Sequence, residues 1–377
     1  MINIFFLLVL CLLTITSHRV DGSHSTLKED LELERQLKLI NKPPIKSIHT
    51  KFGYIVDCVD INKQPAFDHP LLKDHKLQRR PIFHMKNEKI SAKNSSTNLI
   101  FGFEKEECPA GTVPIRRTTK DDLIRSKSLW NNSILNSNSV DRHVAIVSVH
   151  EPGQHYYGVS GTTSIYDPKI TIAQSSSSYL YIQSGDGTNS IIAGWHVFPH
   201  ITGDERPHIF AAWTSDNFAK TGCYNIQCPG FVQVHSQYHL GEALPNVSVY
   251  GGPIYDLPIN IFQGNNKWWV MIHNQAVGYF PVSLFTNLKA ADQVAWGGGT
   301  VAIDAPSPPM GSGYFPDGNP YHSCYFKNIA YKNAIGSGDL RPNKVLEIID
   351  VPNCYKVKYQ PNDYSLLFGG PGGSGCT

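Results

Sequence analysis

The sequence is poor in charge. Only 17% of its 377 residues are Asp, Glu, Lys or Arg, and the formal net charge is +2, whereas about 25% charged residues is usual for globular domains. Such a balance provides no overall basic surface of the kind that nucleic-acid-binding proteins use, so no nucleic-acid partner is indicated. Helical periodicity is also scarce, while 31 glycines and 25 prolines favour many turns and short strands.

Long hydrophobic runs are missing except at the N-terminus. The stretch "MINIFFLLVLCLLTITS" is too short for a comfortable membrane span and ends in small polar residues, which is typical of a signal peptide. We predict a signal peptide over 1–22, no membrane span, and a secreted, extracellular mature protein. Three Asn-x-Ser sequons, at Asn94, Asn131 and Asn246, fit a secreted glycoprotein.

Several signatures of catalytic and cofactor sites are absent. No GxSxG motif occurs, and the Gly-rich tail "FGGPGGSGC" has no helix after it that could form a phosphate loop. "HSQYH" spaces His235 and His239 like a zinc motif. However, it lacks the Glu of HExxH and lies in a predicted strand, where the two rings would be about 13 Å apart. The sequence therefore indicates no metal and no cofactor.

Eight cysteines are present, and Cys11 falls within the predicted signal peptide. Seven then remain, most of which should pair in an oxidising compartment and one of which is left over. Cys58 and Cys108 are placed to staple a small N-terminal unit. Cys223 and Cys228 enclose a short loop, and a local disulfide is favoured there over a zinc site because no second CxxC-type pair is present.

Short alternating segments dominate from residue 141 onward. "SYLYIQSG", "HIFAAWTS" and "KWWVMIH" are examples, and Gly, Pro, Asn and Asp separate them. We predict an all-β domain over 141–377, an antiparallel β-sandwich of two curved sheets. Before it we predict a small N-terminal domain over 23–117, which opens with a short amphipathic helix. A polar, Asn/Ser-rich linker and proteolytic site is predicted over 118–140.

One predicted strand, "NSIIAGWHVFP", carries an unusual residue. Alternation places Ile191, Ala193, Trp195 and Val197 on a core face, and Ile192, His196 and Phe198 on the lining of a groove. Ile192 is a large aliphatic side chain in an otherwise mixed lining. Trp268 and Trp269 are adjacent, so we expect one in the core and the other exposed or in the groove.

These segments resemble the plant neprosin family. The resemblance rests on "IAGWHVFP", "GDERPHIFAAWTSDNFAKTGCYNIQCPGFVQ", "WWVMIHNQAVGYFPVSLF", "VAWGGGTV", "MGSGYFPDG" and "FGGPGG", and upstream on "DCVDINKQPAFDHPLL" and "CPAGTVPIRR". It implies a β-sandwich glutamic peptidase that cleaves after proline, preceded by an inhibitory activation peptide over 23–117. It also implies the disulfides Cys223–Cys228 and Cys354–Cys376, with Cys324 unpaired.

The two glutamates of the family are missing here. One stands directly before "AGW", where this sequence has Ile192, and the other closes "WGGE", where it has Gly299. Neither residue can hold a proton or polarise a water molecule, so both halves of the acid–base pair are lost. We expect a catalytically degenerate protein whose groove, lined by His196, Phe198 and Trp296, binds a proline-rich peptide or a glycan.

Two alternatives stay open. In the first, the protein is an active proline-directed endopeptidase whose carboxylates have moved elsewhere; among the nearby acids, including Asp204 and Glu242, Glu205 is the first to check. In the second, the protein is an extracellular structural protein without a ligand.

Overall fold

The computed structural model describes residues 28–82, 106–131 and 140–376. The predicted signal peptide and Asn94 lie outside these ranges. Asn131 is the last residue of a helix, and Asn246 is half-buried in a loop. No helix in the described ranges is long and apolar enough to cross a membrane.

The N-terminal unit is a helix followed by a small sheet. Helix α1 covers 28–40 and ends ahead of two prolines, which cannot continue it. Strands β1 (Pro44–His49), β2 (Ile55–Asp60) and β3 (Thr112–Arg116) pair antiparallel in the order β1-β2-β3. The disulfide Cys58–Cys108 staples this sheet as predicted.

Helix α2 (Lys120–Asn131) occupies much of the segment predicted to be a polar, Asn/Ser-rich linker. Its start explains how so polar a segment forms a helix, because Thr119 and Asp122 cap each other. The backbone N–H of Asp122 donates to Thr119 Oγ1 at 3.1 Å, and the backbone N–H of Thr119 donates to Asp122 Oδ2 at 2.8 Å. This reciprocal arrangement is a capping box, which stabilises the first helical turn in a polar sequence.

The rest of the described chain is an antiparallel β-sandwich, which confirms the predicted fold class. One sheet contains β4 (Val140–Val149), β6 (Gln174–Gln183), β7 (Ser190–Val197), β8 (His208–Thr214), β9 (Cys223–Tyr224), β14 (Gln293–Ile303) and β16 (Leu346–Ile349). Its seven strands run in the order β16-β4-β14-β6-β7-β8-β9. A short helix α3 (Pro199–Thr202) follows β7.

The second sheet contains β5 (Gly158–Ser164), β10 (Val232–Gln233), β11 (Asp256–Gly264), β12 (Lys267–Ile272), β13 (Gln275–Pro281), β15 (Cys324–Lys332), β17 (Lys356–Gln360) and β18 (Ser365–Gly369). Its eight strands run in the order β10-β13-β12-β11-β5-β15-β18-β17.

Tryptophans fill the space between the sheets. Trp195, Trp268 and Trp296 are fully buried, and each indole N–H donates to a backbone carbonyl, those of Ser164, Leu288 and Ser160. The prediction that Trp296 lines the groove is therefore wrong. Trp296 pairs with Leu180 and Val147 on neighbouring strands, and all three side chains point into the core.

The N-terminal unit adds to the same core. Ala66 and Leu72 belong to the main apolar cluster of the sandwich. The backbone N–H of Gln78 donates to the Tyr279 hydroxyl at 3.2 Å, and Tyr279 lies against Trp269 with the ring centroids 4.7 Å apart. Trp269 is consequently buried like Trp268, which corrects the prediction that one of the two is exposed or in a groove.

Two further disulfides, Cys223–Cys228 and Cys354–Cys376, match the pairing that the resemblance implies. Cys324 is the free cysteine of the described chain and is buried.

Candidate functional site

The positions that the resemblance marks lie on the seven-stranded sheet, on the side away from the core. Residues paired across antiparallel strands point to the same side. Strands β14, β6, β7 and β8 thereby form three rows: Ala295–Tyr181–Ile192–Ala212, Gly297–Tyr179–Gly194–Phe210 and Gly299–Ser177–His196–His208. We call these positions the outer face. None of them is Asp or Glu.

Ile192 and Gly299 stand diagonally across the outer face. They lie on the two strands that flank β6, where their partners are Tyr181 and Ser177. Those partners are four residues apart, so the offset along the strand is roughly 13 Å. Tyr179 occupies the middle of this diagonal.

Tyr179 is a site residue that the sequence reasoning missed. A Cβ atom built on Gly299 would lie 2.9 Å from the Tyr179 hydroxyl oxygen and 3.0 Å from its Cε1. The tyrosine ring thus fills the space that a side chain at position 299 would need. Alternation in "SYLYIQ" gives Tyr179 and Tyr181 a common side, but only the strand pairing brings Tyr179 over Gly299.

A polar network borders Ile192. The side-chain amide of Gln293 donates to the Tyr181 hydroxyl at 3.1 Å and to Ser148 Oγ at 2.7 Å. Burial raises the pKa of Tyr181 to about 12, so the hydroxyl is neutral at physiological pH. This corner of the outer face offers neutral hydroxyl and amide groups and half-buried aliphatic surface.

His196 lies on the predicted side of its strand, but it is not open to a ligand. Its ring stacks on Phe210 at a centroid distance of 4.6 Å and meets Phe198 edge-on at 6.1 Å. Both His196 and Phe198 are buried, which corrects the prediction that they line an open groove. Burial lowers the pKa of His196 to about 3, with smaller contributions from His208 and Arg116.

Two acids lie beside the His208 end of the outer face, close to Tyr54 of the N-terminal unit. Asp204 accepts a hydrogen bond from His208 Nε2 at 2.7 Å, and although burial opposes it, this bond lowers the pKa of Asp204. Glu242 is buried, and burial raises its pKa well above the usual value. Glu205, the first acid to check, is exposed.

The N-terminal unit packs against the seven-stranded sheet near His208. Tyr54 packs against His208 and against His239, with ring centroids 6.5 and 6.3 Å apart. The Arg116 guanidinium lies 4.6 Å from the Tyr54 ring centroid and donates to the Thr202 carbonyl at 2.6 Å. These contacts place the unit at the His208 end of β8.

His235 and His239 lie in a loop after β10 rather than in a strand. His235 Nδ1 accepts from the backbone N–H of Gln237 and of Tyr238, each at 3.0 Å, and so serves the loop. Over the described ranges, no group of three or more His, Cys, Asp or Glu side chains could hold a metal ion.

Comparisons with known families agree with this architecture. A family model described as Neprosin matches residues 173–371, just over half of the chain, and one described as Neprosin activation peptide matches 47–160. The second match therefore runs past the predicted linker into the first strands of the sandwich.

Solved structures that resemble part of this chain include two peptidases and a galectin. Scytalido-glutamic peptidase with a transition state analog inhibitor has 9% identity and a TM-score of 0.38, covering 61% of this chain and 98% of that chain. SCP-B, an Eqolisin-family peptidase with the tripeptide Ala-Ile-His, has 8% identity and a TM-score of 0.36, with the same coverages. A tetrameric galectin from the ball sponge Cinachyrella sp. has 8% identity and a TM-score of 0.26, covering 50% and 99%.

Proposed function

This chain belongs to the neprosin family, and we propose that it keeps the family's β-sandwich while lacking its hydrolytic chemistry. The observation that carries the proposal is the outer face itself. The two positions where the resemblance places glutamates hold Ile192 and Gly299, and Tyr179 stands over the second of them. General acid–base catalysis needs groups that exchange protons near the working pH. Tyr181 has a pKa of about 12, far above neutral pH, and His196 is buried against Phe210 with a pKa of about 3.

We further propose that the outer face binds a peptide rich in proline. Tyr179, Tyr181 and Ile192 are half-buried there, and Ser177 and Gln293 supply neutral polar groups. Proline-rich segments dock on surfaces lined by aromatic rings because their extended helix is already formed before binding. None of the twelve outer-face positions is Asp, Glu, Lys or Arg, which suits such a ligand. The proposal includes secretion, for which the three disulfides and the predicted signal peptide argue.

The first experiment tests for catalysis. The full chain is incubated at acidic and neutral pH with a fluorogenic peptide that contains several prolines, before and after repurification. We expect no cleavage above the buffer rate. Cleavage that survives repurification and falls at least about tenfold in Glu242→Gln would overturn the proposal and establish the relocated-carboxylate alternative, because losing one member of an acid–base pair costs orders of magnitude in rate.

The relocated-carboxylate alternative has one observation in its favour. Asp204 and Glu242 lie near the same tyrosine, Tyr54, and their pKa values are displaced in opposite directions. Two acids in different protonation states are what a general acid and a general base require. Against it, Asp204 is hydrogen-bonded to His208, and the docked N-terminal unit covers this end of the sheet.

The second experiment tests for binding. Fluorescence anisotropy of a labelled proline-rich peptide should report saturable binding to the full chain. Tyr181→Ala should weaken it by about tenfold or more because an anchoring aromatic ring is lost. Ile335→Ala, on an exposed turn after β15, is the matched control and should change nothing. Equal affinities for wild type and Tyr181→Ala would remove the outer face as the binding site. No binding to peptides or glycans would favour the structural-protein alternative.

A further inference from the structure

A cavity of about 530 Å³ opens on the eight-stranded sheet, on the far side of the sandwich from the outer face. Strands β11, β15 and β18 form its floor, and residues Gly318, Pro320 and Tyr321 form part of its wall. Its volume falls within the range of small-molecule binding sites, roughly 300–1,000 Å³.

The floor of the cavity carries an ion pair among neutral hydrogen-bonding groups, and the exposed Asp363 carboxylate also lines the cavity. The Asp256 carboxylate accepts from the Tyr325 hydroxyl and from the Lys327 ammonium group, both at 2.5 Å. Beside them, Ser365 Oγ donates to Gln360 Oε1 at 2.9 Å. Because Asp256 neutralises the cation, this floor does not favour a phosphate or a carboxylate. It suits a ligand that both donates and accepts hydrogen bonds, as hydroxyl groups do.

An exposed aromatic ring forms part of the cavity wall. Tyr321 is 55% exposed, and the neighbouring Tyr250 and Tyr314 are 44% and 52% exposed, with their rings 4.1 Å apart. A ring of this kind presents a flat apolar face together with a polar edge. A sugar ring is the natural complement, since one of its faces carries only C–H groups while its rim carries hydroxyls.

The loops that carry these rings are held in place. The His322 ring stacks on Tyr250 at 4.6 Å, and its Nδ1 lies 2.6 Å from Asp317 Oδ2. The backbone N–H of Gly251 donates to the Tyr321 carbonyl at 2.8 Å, which ties the two loops together. Holding the loops in place before binding reduces the entropy that a ligand must overcome.

We infer that this cavity binds a neutral oligosaccharide. Tyr321 stacks on one sugar ring, while Asp256, Lys327 and Gln360 form hydrogen bonds with its hydroxyl groups. The site is separate from the outer face and does not depend on the function proposed there. It gives the secreted protein a second surface, suited to extracellular polysaccharide.

The test is isothermal titration calorimetry of the full chain with four neutral probes: cellohexaose, xylohexaose, mannohexaose and maltohexaose. We expect saturable binding of at least one of them. Tyr321→Ala should weaken that binding by about tenfold or more, and Tyr321→Phe should preserve it because the ring remains. Asp256→Asn should also weaken it, since one acceptor becomes a donor.

Two variants serve as controls. Ile335 is exposed and does not line the cavity, and Tyr181→Ala removes a ring from the outer face; Ile335→Ala and Tyr181→Ala should both bind the sugar as wild type does. Unfolding midpoints equal to wild type establish that the variants are folded. The inference fails if none of the four probes binds at millimolar concentration, or if Tyr321→Ala binds normally. It also fails if Tyr181→Ala abolishes binding, which would assign the sugar to the outer face.

Discussion

Replacing His196 by Phe should make the protein more resistant to mild acid. His196 is buried against Phe210, and its pKa is about 3 in the folded chain against 6.5 for the free side chain. The unfolded state therefore binds the extra proton between about pH 6.5 and pH 3, and stability falls as the pH falls through that window. A pKa difference of one corresponds to about 1.4 kcal/mol. The buried neutral His196 therefore lowers the free energy of unfolding by about 2 kcal/mol at pH 5 and by almost nothing at pH 7.

His196→Phe keeps an aromatic ring stacked on Phe210 and removes the titratable imidazole. Whatever the substitution costs at pH 7, the free energy of unfolding of the variant relative to wild type should rise by about 2 kcal/mol between pH 7 and pH 5. His239, with a lowered pKa of about 4, and Glu242, with a raised pKa, titrate in both proteins. Their contributions are common to the variant and to wild type, so they drop out of the difference between the two proteins.

Urea denaturation of the full chain at pH 7, 6 and 5, followed by tryptophan fluorescence, measures the effect. His49→Gln is the control, since His49 is exposed, and it should follow the wild-type curve. If His196→Phe and wild type lose the same stability between pH 7 and pH 5, then His196 is not the buried neutral group described above, and the reasoning is refuted.

Three further outcomes are expected. Gly299→Ala should lower the free energy of unfolding by about 1–3 kcal/mol through overpacking against Tyr179; a double-mutant cycle with Tyr179→Ala should recover most of that loss, and simple additivity would contradict the contact. The Cys324 thiol, whose pKa burial raises to about 11, should react with a thiol reagent at pH 8 only after denaturation, so rapid labelling of the native protein would argue against its burial. Arg116→Ala should cost about 1–3 kcal/mol in thermal unfolding, because the Thr202 carbonyl and the Tyr54 ring lose their cation; an unchanged midpoint would mean that this contact contributes nothing to docking.

Alternation along single strands predicted much of the fold. It placed Trp195 in the core and Ile192 on the opposite side, and both assignments agree with the structure. The period of one strand does not say which residues of other strands lie beside it. The position of Tyr179 over Gly299 depends on the pairing of β6 with β14, which is set by the whole sheet.

The remaining differences arise from contacts between distant parts of the chain. Trp268 and Trp269 do face opposite ways. The side that Trp269 faces is nevertheless covered, by Tyr279 and the N-terminal unit. Helix α2 had a local signal, the cap formed by Thr119 and Asp122, which its polar composition obscured. Alternation misplaces Trp296 because its strand has few large side chains that would mark which side faces the core.

The way the N-terminal unit is seated decides what a cut in the chain after it would do. Leu72 and Ala66 are part of the main core, and Gln78 holds the hydroxyl of Tyr279 above Trp269. Cutting the chain after this unit would leave it bound, since a nick breaks one peptide bond and none of these contacts. If the unit dissociated, the aromatic surface formed by Trp269 and Tyr279 would be exposed on the eight-stranded sheet. A sandwich in that state would need another protein surface to cover these rings, or its copies would associate with one another.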